Sequence, residues 1–273
     1  MKLGLHQINN VRTILDKALA ARGEADEVHS WMGILDRVLD ECPTSRCLAN
    51  LANNTKRSSS ERCLAVWILG HLNATSSARA VLRVLLSDNA AASWHASNAL
   101  CVFKDKRLVP HLIRALEKST HIHSREGAIW VLYKGVVDKL ALPRLIEAAT
   151  RDTSVAVRHR ATHALIAYPQ RRSFLALASR SEDPSPDVRR AAIYVLSCLT
   201  RYKRTLSAIP ALTKLLRKHD RAPALDNLTK KQTYALQNER RDIESILSVL
   251  KAKWPDQAAP LLAAESNGVA GKP

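Results

Sequence analysis

The sequence predicts an all-α chain, an α-solenoid of stacked antiparallel helix pairs forming an α-α superhelix. Three observations predict it. Residues 187–199 read as a helix with an acidic first turn and an apolar stripe at Val188, Ala192, Val195, Leu196 and Leu199. The pair Ala192/Leu196 recurs upstream as Ala65/Leu69, Ala96/Leu100, Ala128/Leu132 and Ala161/Leu165, with consecutive alanines 31, 32, 33 and 31 residues apart. A fixed period of this length marks units that cannot bury their own apolar faces and must stack. Composition agrees: 46% hydrophobic residues with only 4% aromatic leave a core of Ala, Leu, Val and Ile, and eight glycines are few for a chain of tight β-turns.

Taken in order, residues 10–21 read as a first short helix, closed by Gly23. Residues 24–41 form the second, with its stripe at Val28, Trp31, Leu35, Val38 and Leu39, and Pro43 stops it. Residues 44–53, with Leu48, Leu51 and Ala52, supply the partner helix of a degenerate leading repeat. Residues 1–60 are therefore assigned to N-terminal helices and a capping repeat. Ser58 and Glu61 fit a capping box that opens the next helix. Residues 61–220 hold five repeats, each expected as an alanine helix A followed by a helix B. The B helices carry Val81/Leu82/Leu85, Leu112/Ile113/Leu116, Leu145/Ile146, Leu177 and Leu212/Leu215/Leu216. Pro110, Pro143 and Pro210 recur early in three of them, where a missing N–H costs nothing.

Beyond the array, residues 228–254 form a long amphipathic helix with Leu236, Ile243 and Leu250 spaced seven apart and Leu247 beside them. Residues 221–254 are expected to cap the array. The alternative is a surface that pairs with another chain. Residues 255–273 are expected as a flexible tail.

Net charge is +17, and its placement carries more than its size. Residues 61–220 hold 26 Lys/Arg against 12 Asp/Glu, whereas residues 1–60 hold 8 against 7. The basicity belongs to the repeats, which points to an acidic partner. The first ten residues carry no apolar run, so no signal peptide is expected, and no uninterrupted apolar stretch is long enough for a membrane span. Five cysteines without CxxC spacing, Cys63, Cys101 and Cys198 lying inside repeat helices, lead us to expect a reduced, cytoplasmic protein.

The pattern D-x-x-x-x-V-R-x-x-A-x-x-x-L, at 152–165 and again at 183–196, resembles the HEAT repeat. More narrowly it resembles the short HEAT-like repeats of the phycobilin-lyase type. The resemblance covers residues 44–220 and implies that the Asp and Arg hydrogen-bond within and between units. The matching arginines are Arg62, Arg125, Arg158 and Arg189, with Ser93 departing in the second repeat. Deoxyhypusine hydroxylases of this family carry iron-binding His-Glu pairs. The corresponding positions here read Arg62-Cys63, Ser93-Trp94, Arg125-Glu126, Arg158-His159 and Arg189-Arg190, so that activity is excluded.

In HEAT-like arrays the B helices line the concave face, which places a cationic row there: Arg79, Arg83, His111, Arg114, Arg144, Arg180, Lys214 and Arg217, flanked by Lys118, Arg171, Arg172 and Lys218. Glu147 is the one acid in this row and the single candidate for a catalytic carboxylate of a glycosylase-like site. A second row, two places after the aligned alanines, holds Trp67, Trp130 and Tyr194 with Asn98 and His163. On a helical wheel it faces away from the core stripe, so these rings either form an interface or pack on neighbouring helices. His159 and His163 have metal-binding spacing but no acidic partner, and His121-x-His123 has no carboxylate or thiol nearby in sequence. No metal or cofactor is therefore expected. No phosphate-binding loop, dinucleotide fingerprint or nucleophile elbow occurs.

The sequence thus points to a non-catalytic binding scaffold whose basic face engages an acidic protein. The alternatives are a nucleic-acid-binding protein with glycosylase-like activity, and a subunit of a phycobilin-lyase-like heterodimer. The near absence of aromatics on the basic face argues against single-strand recognition, which relies on stacking.

Overall fold

The computed structural model describes residues 3–20, 25–220 and 229–267. The chain divides into two compact units, residues 1–138 and 139–273. In the first, α1 (Leu5–Ala20) and α2 (Ala25–Glu41) pack together and lead into α3 (Ser45–Asn53) and α4 (Ser59–His71). Then come α5 (Ala78–Leu85), α6 (Ala90–Phe103), α7 (Val109–Lys118) and α8 (Ile122–Trp130), the last continuing into a π-turn, Val131–Gly135. The second unit holds α9 (Leu142–Arg151), α10 (Val155–Ala164), α11 (Arg171–Arg180), α12 (Pro186–Cys198), α13 (Ile209–Asp220), α14 (Lys230–Lys253) and α15 (Pro255–Asn267).

Each unit stacks helical hairpins as an α-solenoid does. Like packs on like: α4 on α6 and α6 on α8 in the first unit, α10 on α12, α9 on α11 and α12 on α14 in the second. The five aligned alanines, Ala65, Ala96, Ala128, Ala161 and Ala192, are fully buried, and so are the five leucines that follow them. A methyl group at the first position lets neighbouring helices approach, and the leucine one turn on fills the layer between them. The approach is so close at Gly127 and Gly135 that an added Cβ would stand 2.7 Å from Leu85 Cδ1 and 2.8 Å from Cys101 Cα.

The local signals behave as expected. Ser58 caps α4 in a complete capping box with Glu61, and Pro110 and Pro143 occupy the first turns of α7 and α9. Residues 255–267, expected as part of a flexible tail, are instead helix α15, whose Ala258 is fully buried in the second unit. Residues 268–273 of that expected tail, together with Gly23 and Leu228, lie outside the described residues.

The hairpins are registered differently from the expectation. Each alanine helix pairs with the helix before it: α3 with α4, α5 with α6 and α7 with α8 in the first unit, and α9 with α10 and α11 with α12 in the second. Contacts of α4 with α5, α6 with α7, α10 with α11 and α12 with α13 are sparse by comparison. Short 3-10 turns such as Thr75–Ser77 and Lys106–Leu108 run straight into the next helix and carry the chain on to the following layer. A period reads the same whichever helix is counted first, so the repeat spacing could not reveal this. The proline helices are first members of their hairpins, and the placement of the basic row on a concave face, which took them for second members, loses its basis.

Candidate anion-binding face

The basic row differs between the two units. On α5 and α7 of the first unit, Arg83, His111, Arg114 and Lys118 are exposed and have no ion-pair partner among the described residues. Arg79 is exposed too, and its charge helps hold the Asp105 carboxyl below its usual range, after the Arg107 hydrogen bond. In the second unit three members of the row are paired, while the flanking Arg171, Arg172 and Lys218 are exposed. Arg144 pairs with Glu147 at 2.6 Å, and Lys214 with Glu182 at 3.2 Å. Arg180 turns inward, donating to Asp183 Oδ2 at 2.8 Å and to the Thr150 carbonyl at 3.4 Å. Arg217 is half-buried. Glu147 is solvated and clasped by Arg144, an ordinary surface ion pair in its geometry.

Within the first unit, three of these cations converge. Arg114 and Lys118 lie with His111 along one face of α7, and the chain leaving that helix brings His121 back beside them. Together with Leu86, Ala115, Ser119 and Thr120 they line an open groove of about 340 Å³. The groove exists because α7 touches α5 only sparsely, whereas α3 packs directly on α5. Its far wall is Leu86, the residue just past α5. His121 stacks on His123 at 5.3 Å, and His123 Nε2 lies 2.8 Å from the Ser87 carbonyl oxygen, which anchors this loop to the end of α5. No aromatic residue other than His lines the groove. Spacing along α7 foretold its own cations; the contribution of Leu86 and His121 is a matter of tertiary packing that no sequence spacing signals.

The aromatic row packs on its neighbours at Trp67 and Trp130 and is exposed at Tyr194. Trp67 is half-buried with its ring 3.8 Å from that of His71. Trp130 is half-buried and donates its indole N–H to Asn98 Oδ1 at 3.1 Å, while its ring meets Trp94 at 6.2 Å and Tyr133 at 6.1 Å. Sequence reasoning had not joined Trp94 and Tyr133 to this cluster, although Trp94 is 49% exposed. Tyr194 is exposed, with its ring 5.7 Å from His163. His159 and His163 meet edge to face at 4.8 Å, and burial, then the charges of His159 and Arg160, lowers the pKa of His163. Among the described residues no group of three or more His, Cys, Asp and Glu side chains is placed to hold a metal.

The arginines of the repeat motif do one job throughout. Arg62 Nε donates to the Ala52 carbonyl, Arg125 to Ser119 and Thr120, Arg158 to Asp152 and Thr153, and Arg189 to Asp183 and Pro184. Arg62 thereby reaches the last turn of α3, and the other three tie down carbonyls of the loop between the preceding helix and their own. Ser93, the departure from the pattern, does the same with a shorter arm, its Oγ donating to the Leu85 carbonyl at 2.8 Å. Between units of the repeat, Arg158 donates to both oxygens of the buried Asp183, which also accepts from Arg180 and the Ser185 N–H. Burial raises the Asp183 pKa, but the hydrogen bonds from Arg158 and Ser185 and the charges of Arg158 and Arg180 outweigh it and hold the carboxyl below its usual range.

Among the described residues no helix is long and apolar enough to cross a membrane. No curated protein matches the chain. Among solved structures it is similar to the complex of CpcE and CpcF of phycocyanin lyase from a Nostoc species, with 15% sequence identity, a TM-score of 0.42, and coverage of 88% of this chain and 94% of that one. The family model for HEAT repeats matches residues 142–228. Those residues carry the Arg158–Asp183 and Arg189 bonds and the stacked alanine helices α10 and α12, so for that stretch the match to HEAT repeats and the packing agree.

Proposed function

We propose that the chain is a non-catalytic scaffold that captures an acidic protein segment on the α7 groove of its first unit. One observation carries the reading: His111, Arg114, Lys118 and His121 converge on an open groove, and no carboxylate lines it. Arg144, Arg180 and Lys214 of α9, α11 and α13 are by contrast paired with acids of the same unit. Charges left without partners beside a concave surface raise the local concentration of anions and favour their docking.

An acidic protein suits the groove better than nucleic acid does. Leu86 and Ala115 give it an apolar lining that a peptide side chain can pack on and a phosphate backbone cannot. It lacks the flat aromatic rings on which unpaired bases stack. Binding of a fluorescent polyglutamate peptide to the full chain tests the reading. Arg114→Glu with Lys118→Glu is expected to weaken binding about tenfold or more and to leave helicity unchanged. Lys251→Glu with Lys253→Glu, the same change in charge on α14, is expected to leave it nearly intact. Equal losses in the two double variants, or tighter binding of duplex DNA than of polyglutamate, overturns the assignment.

A further inference from the structure

Cys42 and Cys47 are close in sequence but lie on different elements, Cys42 just past the end of α2 and Cys47 in the first turn of α3. Pro43 ends the first helix, and Thr44 caps the second by accepting from the Cys47 N–H at 3.1 Å, so the chain reverses tightly between them. The reversal brings the two sulfurs to 2.7 Å, within about 0.7 Å of the length of a disulfide bond. Both are free thiols. Cys42 is buried, while Cys47 is half-exposed with its Sγ also 3.5 Å from the Glu41 carbonyl oxygen. The other three cysteines, Cys63, Cys101 and Cys198, lie on helices α4, α6 and α12.

We propose that Cys42 and Cys47 are a thiol-oxidation site, converted to an intramolecular disulfide by a small-molecule disulfide of the glutathione class. The bond clasps the end of α2 to the start of α3. The Cys47 thiolate attacks one sulfur of the small disulfide, forming a mixed disulfide and releasing one small thiolate, which takes up a proton. Cys42 then loses its proton and attacks Cys47 Sγ, and the second small thiolate leaves and is protonated. Two protein thiols and one small disulfide thus become one protein disulfide and two small thiols, with two electrons passing to the small disulfide. Burial first, then the hydrogen bond and charge of Cys47, push the Cys42 thiol up to about 12, so Cys42 stays protonated while the more accessible Cys47 makes the first attack.

Tryptic mapping of the full chain tests this directly. Cleavage after Arg37, Arg46 and Lys56 places Cys42 on peptide 38–46 and Cys47 on peptide 47–56. After incubation with oxidised glutathione and blocking with maleimide, these two peptides are expected as one disulfide-linked species. Neither Cys42 nor Cys47 is then labelled by maleimide on unfolding, and dithiothreitol restores the labelling of both. A second arm uses Cys42→Ala, in which the glutathione adduct on Cys47 is expected to accumulate because nothing resolves it. The proposal is overturned if Cys47 in the natural sequence retains glutathione while Cys42 stays alkylatable on unfolding. It is equally overturned if both thiols stay free under conditions that modify the exposed Cys198.

Discussion

Arg189 of α12 donates to Glu239 of α14 at 3.1 Å, and the Glu239 side chain is almost wholly buried. One layer earlier, Arg158 makes the equivalent bond to Asp183 of the next repeat. Glu239 therefore does for the last alanine helix what the motif aspartate does inside the array, although it belongs to no repeat and lies 50 residues away. Helix α14 closes the stack by supplying that carboxylate as well as by packing on α12 and α13, with Ile243, Ile246 and Leu250 buried.

Removing this carboxylate leaves a largely buried guanidinium without its counter-charge. Glu239→Ala is expected to cost about 3 kcal/mol, measured by urea unfolding, and Glu239→Gln less, because the amide oxygen still accepts a hydrogen bond. A loss under about 0.5 kcal/mol for Glu239→Ala would mean that α14 caps the array by apolar contact alone.

Asp183 has the sharper dependence on pH. Its folded pKa is lowered, so its contribution to stability is present above the ordinary aspartate value of 3.8 and is lost as pH falls through the folded value. Asp183→Asn is expected to destabilise the second unit at neutral pH by about 3 kcal/mol. The same variant flattens the acid limb of the unfolding midpoint against pH.

His163 acts in the opposite chemical sense with the same slope. Its folded pKa lies below 6.5, so the folded chain holds fewer protons than the unfolded one as pH falls through 6.5 towards the folded value. Stability is expected to decline across that window as the proton forces charge beside His159 and Arg160. Thermal unfolding of His163→Gln between pH 7 and pH 5 should show a shallower decline than the natural sequence.

The glycines of the first unit give a graded test of how tightly its helices approach. Gly135→Ala places a methyl 2.8 Å from the Cys101 backbone, which cannot yield, and is expected to cost about 2 kcal/mol or more. Gly127→Ala meets the end of the Leu85 side chain, which can turn aside, and should cost less. Gly33 has nothing within 4 Å, so Gly33→Ala is expected to stabilise α2 by about 0.5–1 kcal/mol. Denaturant midpoints that fail to follow this order would contradict the packing of α6 against α8 and its π-turn.

The repeat period, the buried alanine–leucine pairs, the capping box at Ser58 and the basic character of the repeats were all legible in the amino-acid order. Each is a local pattern: an apolar stripe must be buried wherever its helix goes, and a cap bonds to its own first turn. Folding in three dimensions decided the rest. Whether a cation is free or neutralised depends on acids brought from afar, such as Asp183, 25 residues beyond Arg158, or Glu182, 32 residues before Lys214. Which helices pair, where α7 stands off from α5 to open a groove, and that Cys42 meets Cys47 across a helix reversal follow from packing against neighbouring layers. A periodic sequence is unchanged when the counting starts one helix later, so only the packed layers could set the register of the hairpins and, with it, which faces remain for a partner.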